Sequence, residues 1–435
     1  MLLFLLKRFD LLNLLQMSIF NQLKQKLSQQ LHSLSATQGL IQLHAEVAIS
    51  AGNEHLLAWL KGQTQFPQFF WQSRDTDQTI VAIGATQRFD DLDQAEHFNR
   101  QFPYTLIGGL QFDGQASFIL PTLLLVKNGA QLTACLNLDL SHSIELDSLF
   151  QPISELQAGR SNPIFATESA CNSQYWQQNI ALAIHEIEQY HFSKVVLANA
   201  KTLTFAQPLN PYDLLFASQQ KNLGCYHFLW SETGEQTFIG SSPERLYQRH
   251  HRQFYTEALA GTVAVTEDPE ETEQNALWLL NDQKNIYENL LVVDDICSHL
   301  ADCATDIQVG DAQIKRLHNV QHLRRLIHTT LADNVTDSDC LARIHPTAAV
   351  AGLPRADAKQ FIAQHEGFKR GWYAGTLGYL SPEQAEFCVT LRSALIQQNQ
   401  MTVYAGAGIV EGSDPQSEWL EIERKSRGML VLLER

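Results

Sequence analysis

Apolar residues recur every fourth position at Ile19, Leu23, Leu27 and Leu31, which predicts an amphipathic helix over Ser18 to Leu34. The period then changes. Between Ile41 and Leu146, short β-branched and aromatic runs predict strands at Val47 to Ser50, Thr79 to Ile83, Tyr104 to Leu110, Ser117 to Leu120, Leu123 to Lys127 and Gln131 to Leu138. One acidic helix, Leu92 to Phe102, interrupts them. Gly108-Gly109 reads as close backbone packing and Trp71 as a core anchor. This half offers no chemistry that can be named from the residues. A polar, Gly- and Pro-bearing stretch at Gln157 to Thr167 predicts a boundary between halves. Beyond it, Trp176, Ile180, Ile184 and Ile187 mark a helix, and Lys194 to Asn199 a buried strand opened by a lysine.

Asn275 to Leu300 is predicted as one long helix. Glu288 falls opposite its main apolar stripe, yet Leu277, Leu291 and Val292 share that side. Such a helix is buried on both faces and encloses a polar patch. Strands follow at Gly371 to Gly375, at Glu386 to Leu395 with Arg392 inside it, and at Met401 to Ala405. Gly406, Gly408 and Gly412 nearly match a dinucleotide fingerprint, but the third glycine comes one residue late and the next helix opens only at Asp414-Pro415. A nicotinamide cofactor is therefore excluded. The final helix carries Glu418, Glu421 and Lys425 on one face, which by itself gives an intrahelical Glu421 to Lys425 pair.

The 435 residues carry a net charge of -16, which argues against nucleic acid and anionic membranes as partners, because phosphate contacts need clustered Lys and Arg. The seven cysteines are scattered and form no Cys-x-x-Cys, which fits reduced thiols and a cytoplasmic protein without a disulfide frame or zinc site. Leu2 to Leu6 precede the first charge, the reverse of a secretory signal, and the apolar run is too short to span a bilayer. Residues 1–16 are thus expected to be an upstream extension before Met17, with 17–165 the N-terminal part of the body and 166–435 the catalytic region.

Gly240-Ser241-Ser242-Pro243-Glu244 breaks an apolar strand and presents a carboxylate at the bend, facing the returning strand Thr256 to Thr262. Alone, this stretch equally describes a hairpin shoulder on which Glu244 pairs with Arg245 or Arg249. Arg249 is expected on that surface, and Glu257, on the returning strand, is assigned no role in the chemistry.

Taken together, Ser193 to Ala198, Gly240 to Glu244, Ala258 to Thr262, Pro346 to Pro354, Arg392 to Ala394, Tyr404 to Val410 and Ser413 to Lys425 resemble, in order, the motifs of the chorismate-utilising enzymes. This family comprises the anthranilate, aminodeoxychorismate, salicylate and isochorismate synthases. The resemblance is strong over residues 165–435 and weak before them. It implies an α+β fold in which two related halves, each an antiparallel sheet with outer helices, enclose a central active site. It implies Mg²⁺ held by Glu288 and Glu421, and chorismate held by Thr262, His322, Tyr373, Arg392, the backbone of Gly406 and Gly408, and Lys425. Lys194, entering neutral, would take a proton from water attacking C2 of chorismate, and protonated Glu244 would give one to the hydroxyl leaving C4.

Within the family, Lys194 disfavours an anthranilate synthase, and Ala260, where aminodeoxychorismate synthases carry a nucleophilic lysine, disfavours that activity too. No glutamine amidotransferase subunit is then required. The implied activity is isochorismate synthesis, an isomerisation, for menaquinone. The alternatives are a salicylate synthase, a siderophore-pathway isochorismate synthase and a non-catalytic carboxylate-binding relative. Oligomeric state is not readable from the residues.

Overall fold

A computed structural model describes residues 19–35, 38–50, 52–142, 144–157 and 162–430, with side chains through 426. The expected extension over 1–16 lies outside them. Two antiparallel sheets, of twelve and ten strands, stack face to face, as the α+β expectation requires. The first runs from Leu40–Ala48 at one edge through Gln68–Gln72, Tyr226–Ser231, Thr237–Ser242, Ser393–Gln397 and Gln400–Ile409 to Lys194–Phe205. The second runs from Ala304–Val309 through Val320–Leu331, Gln253–Ala264, Arg245–His250, Gln384–Val389 and Thr376–Leu380 to Gln87–Phe89. Strands from before residue 157 lie in both sheets, so the polar stretch at 157–167 separates blocks of sequence and not the two layers.

Alternation along single strands builds two cores. Phe69 and Trp71 point between the sheets, where Trp71 meets Tyr379 edge-on at 5.4 Å, while Phe70 points outward under the helices. Each such fully buried side chain stabilises the fold by roughly 1.5–3 kcal/mol. The helix at 19–32 and Asn53–Gly62 cover the outer face of the first sheet, with Phe20 stacked on Trp59 at 5.4 Å. Gly108 and Gly109 are places of close backbone packing, as expected: a Cβ would stand 2.1 Å from Ser117 O at Gly108 and 1.8 Å from Thr376 O at Gly109.

Four expectations need correction. The long helix is two, Pro269–Asn281 and Gln283–Leu300, because Asp282 leaves helical geometry and its carboxylate caps Asn285 N–H at 2.9 Å. Gly371 to Gly375 is a turn, wound by positive φ at Gly371 (53°) and Ala374 (58°), and the strand begins at Thr376. Glu386 to Leu395 is two strands in different sheets, Gln384–Val389 and Ser393–Gln397. Arg249 is buried, not on a hairpin surface, and holds Asp337 through Nε at 2.9 Å and NH2 at 2.6 Å. All seven cysteines are free, and no described helix is long and apolar enough to cross a membrane.

Candidate active site

Two chain segments pass from one sheet to the other side by side. Thr237–Ser242 belongs to the first sheet and Arg245–His250 to the second, with Pro243-Glu244 at the crossing. Arg392 lies between Gln384–Val389 and Ser393–Gln397, which make the return crossing. Proline cannot donate to a ladder, so the chain leaves the first sheet there. The crossings are tied to each other, Ser241 N donating to Arg392 O and Val389 N to Glu244 O, each at 3.1 Å. Arg392 sits at φ 47°, a conformation costing about 1–3 kcal/mol for a residue with a side chain and sustained only where the surroundings impose it. A cavity opens beside this junction. Its wall includes every residue singled out for the site except Lys194.

Glu244 is buried on that wall, and its carboxyl takes no hydrogen bond from the described residues. Burial, and then the negative charge of Glu257, push its pKa up to about 8, against the opposing charges of Lys194, Arg74 and Lys315. At neutral pH it is therefore chiefly a carboxylic acid. Glu257, also buried, goes the other way. Desolvation would raise it, but a forked pair with Arg74 at 2.5 and 2.7 Å, Lys315 and the Arg245 N–H hold it at about 2. Two neighbouring carboxyls are thus set apart, one kept protonated and one kept ionised.

The facing wall is cationic. Arg392 has no acidic partner among the described residues, and its NH2 lies 3.3 Å from His322 Nε2. Burial, then the charges of Arg392 and Lys425, hold His322 well below its usual pKa, so the ring is neutral. Its Nδ1 lies 3.3 Å from Gly261 O and 3.1 Å from Thr262 Oγ1. A carbonyl can only accept, which assigns the proton to Nδ1 and leaves Nε2 to accept from Arg392. Lys425 Nζ donates to Gly406 O at 3.0 Å and lies 2.7 Å from Glu421 Oε1, so the intrahelical pair is present at the cavity. Tyr373 stacks on Tyr404 at 5.0 Å and lines the same space. A partly buried guanidinium without a carboxylate partner among the described residues fits an anionic ligand.

Glu288 and Glu421 approach from two helices, Gln283–Leu300 and Pro415–Leu430. Gly408 lets Glu288 in: a Cβ there would stand 2.3 Å from Glu288 Oε1 and 3.1 Å from Lys194 Cε. Lys194 Nζ, fully buried, lies 3.0 Å from Glu288 Oε1 without a well-directed hydrogen bond, so it stands behind the wall and reaches the cavity through that carboxylate. Glu418 pairs with Lys284 at 2.9 Å, and the charges of Glu418, Glu288 and Glu421 together outweigh burial to raise the pKa of Lys284. No cluster of three His, Cys, Asp or Glu side chains among the described residues forms a metal cage. Hard oxygens from two carboxylates in an anion-rich corner nevertheless suit Mg²⁺, which keeps waters and shares ligands with its substrate.

Sequence reasoning misses several contributors. Arg74, in the turn between Gln68–Gln72 and Thr79–Ile83, reaches the Glu244 crossing from the half that offered no chemistry. Lys315 Nζ donates to Pro243 O at 2.8 Å. The Pro346 to Pro354 stretch places Ala349 and Val350 in the wall, fixed by Ala348 N donating to buried Asp295 Oδ2 at 3.0 Å and by Arg370 NH1 donating to Val350 O at 2.8 Å. Glu257, expected to have no role, is part of the same electrostatic unit as Glu244.

The family described as chorismate binding enzyme matches residues 110–434. The isochorismate synthase MenF of Haemophilus influenzae is 44% identical over 381 residues, covering 87% of this chain and 89% of that protein. The isochorismate synthase MenF of Escherichia coli is 45% identical over 390 residues, covering 87% and 90%. The solved structure of MenF, the menaquinone-specific isochorismate synthase from Escherichia coli, superposes with a TM-score of 0.87 at 42% identity, over 94% of this chain and 99% of that one. Anthranilate synthase component I from Streptococcus pneumoniae, 19% identical with a TM-score of 0.66 over 91% and 93% of the two chains, shares the fold.

Proposed function

The chain belongs to the chorismate-binding enzymes, and from that premise we propose that it is an isochorismate synthase, an isomerase serving menaquinone formation. The observation that carries the reading is Glu244, a buried carboxyl whose pKa is pushed up to about 8 beside a cavity whose other wall is cationic. Chorismate is a dianion with a hydroxyl at C4. Arg392 and Lys425 supply the charge to hold its carboxylates, and neutral His322 with Tyr373 borders the ring.

Water adds at C2, the two ring double bonds shift, and the C4–O bond breaks. Lys194 takes the proton that the entering water loses, and Glu244 gives its proton to the departing hydroxyl, which leaves as water. The return reaction exchanges the roles. Glu288 and Glu421 would hold Mg²⁺, which when bound would anchor the ring carboxylate and draw electron density from the diene.

Incubating the protein with chorismate and Mg²⁺ and separating the products should yield isochorismate. Salicylate with pyruvate, or unchanged chorismate, would overturn the reading. Within it, Arg392→Ala should raise KM for chorismate by about 10- to 100-fold, the worth of one or two charge-assisted hydrogen bonds. An unchanged KM would remove Arg392 from the binding wall.

A further inference from the structure

The peptide groups on both sides of Glu244 are held by one ion pair. Arg74 NH1 donates to Pro243 O on the near side, and Glu257 Oε1 accepts from Arg245 N at 2.9 Å on the far side. Arg74 and Glu257 are joined to each other by the fork already described, and their side chains are 1% and 0% exposed. Every guanidinium nitrogen is used, Nε donating to Asp75 Oδ2 at 3.1 Å, and the plane lies over the Tyr226 ring at 5.2 Å. Lys315 adds a second donor to Pro243 O. Among the described residues Glu244 makes hydrogen bonds only through its backbone, so the peptides on either side of it set where its carboxyl begins.

We propose that Arg74 and Glu257 are the positioning pair of the acid: together with Lys315 they clamp the two peptides that flank Glu244 and fix its carboxyl on the cavity wall. This rests on the isochorismate synthase reading and deepens it, because it gives residues 17–165 a part in the chemistry through Arg74. The clamp is also electrostatic. The charged groups acting on Glu244 come from four directions: Glu257 on the second sheet, Lys194 on the first, Arg74 in the turn and Lys315 on Gln313–Arg316. Of these, Glu257 favours the protonated acid and the three cations oppose it. Glu288, Glu421, His322, Arg392, Lys425, Tyr373 and Tyr404 share the cavity with it.

The forward reaction needs Glu244 protonated, so kcat/KM should fall as pH rises through its pKa. Glu257→Gln keeps the shape, removes the negative charge and leaves Arg74 with Asp75 as its acidic partner. Its alkaline limb should move to lower pH by about one unit. Burial lowers the pKa of Lys315 to about 8, so it is partly charged where the limb lies; Lys315→Gln, at a half-buried position more tolerant of change, removes that charge and should move the limb to higher pH. Arg74→Lys retains charge but loses the planar fork that spans Glu257 and reaches Pro243 O, so kcat should fall about tenfold with KM within twofold of wild type. A purely structural pair would lower thermal stability and the yield of active enzyme while leaving KM, per-molecule kcat and the limb in place. If Glu257→Gln or Arg74→Lys fails to fold, Lys315→Gln decides, an unmoved limb counting against the clamp. Unmoved limbs in both charge variants, with kcat of Arg74→Lys near wild type, would overturn the proposal. Wild type making isochorismate throughout distinguishes that outcome from failure of the functional reading.

Discussion

Glu244→Gln should lower turnover of chorismate by about 10²- to 10⁴-fold, the usual worth of a positioned proton donor, while leaving the fold and KM close to wild type. The amide keeps the shape of the buried carboxyl and removes only the proton it can give. Wild type should show kcat/KM falling above pH 8, as Glu244, pushed up to about 8 by burial and by Glu257, loses its proton. The sign follows from the chemistry: the protonated form is the active one, so activity is retained below that pH and lost above it. In Glu244→Gln this limb should be absent. Lys194→Ala should cost a comparable factor, and the double variant far less than the product of the two, because groups that act on one transition state are not additive. A Glu244→Gln enzyme with near-normal kcat would place the acid elsewhere.

Removal of metal should have the other large effect. In excess chelator, turnover should be abolished and restored by Mg²⁺, and Glu288→Gln should resist restoration with its folded structure intact. Calorimetric titration with Mg²⁺ alone provides a readout independent of activity: heat of binding should be present in wild type and strongly weakened in Glu288→Gln and Glu421→Gln. Glu288 Oε1 lies 3.0 Å from Lys194 Nζ and Glu421 Oε1 2.7 Å from Lys425 Nζ, so a divalent ion held by the two carboxylates would stand beside both amines. Undiminished activity in chelator would remove the metal from the account.

Those parts of the site that are written into short stretches of sequence are legible from the residues alone. Pro243 cannot stay in a ladder, so the bend that presents Glu244 is local chemistry, whereas Gly406 and Gly408 read from the residues as a near miss to a dinucleotide fingerprint, and only the fold shows side chains from elsewhere approaching their backbone. What spans the chain is not legible in this way. Arg74 and Glu257 are 183 residues apart, and no periodicity joins them. Arg249 escapes for the same reason, since its partner Asp337 lies 88 residues on. Elsewhere the local signal is present but ambiguous. Asp282 is a good helix cap inside an apolar pattern, and Gly371 and Gly375 flank an aromatic run that reads equally well as turn or strand. Arg392 lies in a continuous β-like run, and only the passage of that run between two sheets forces its positive φ.

The most direct test of the central claim is the origin of the product hydroxyl. With chorismate and Mg²⁺ in ¹⁸O-labelled water, isochorismate collected before equilibrium should carry one ¹⁸O, in the ring hydroxyl at C2, because the entering oxygen comes from solvent and the C4 hydroxyl departs. Isochorismate formed without label would mean that the original hydroxyl migrates within the ring, and the pairing of Lys194 with attacking water and of Glu244 with a departing hydroxyl would be contradicted.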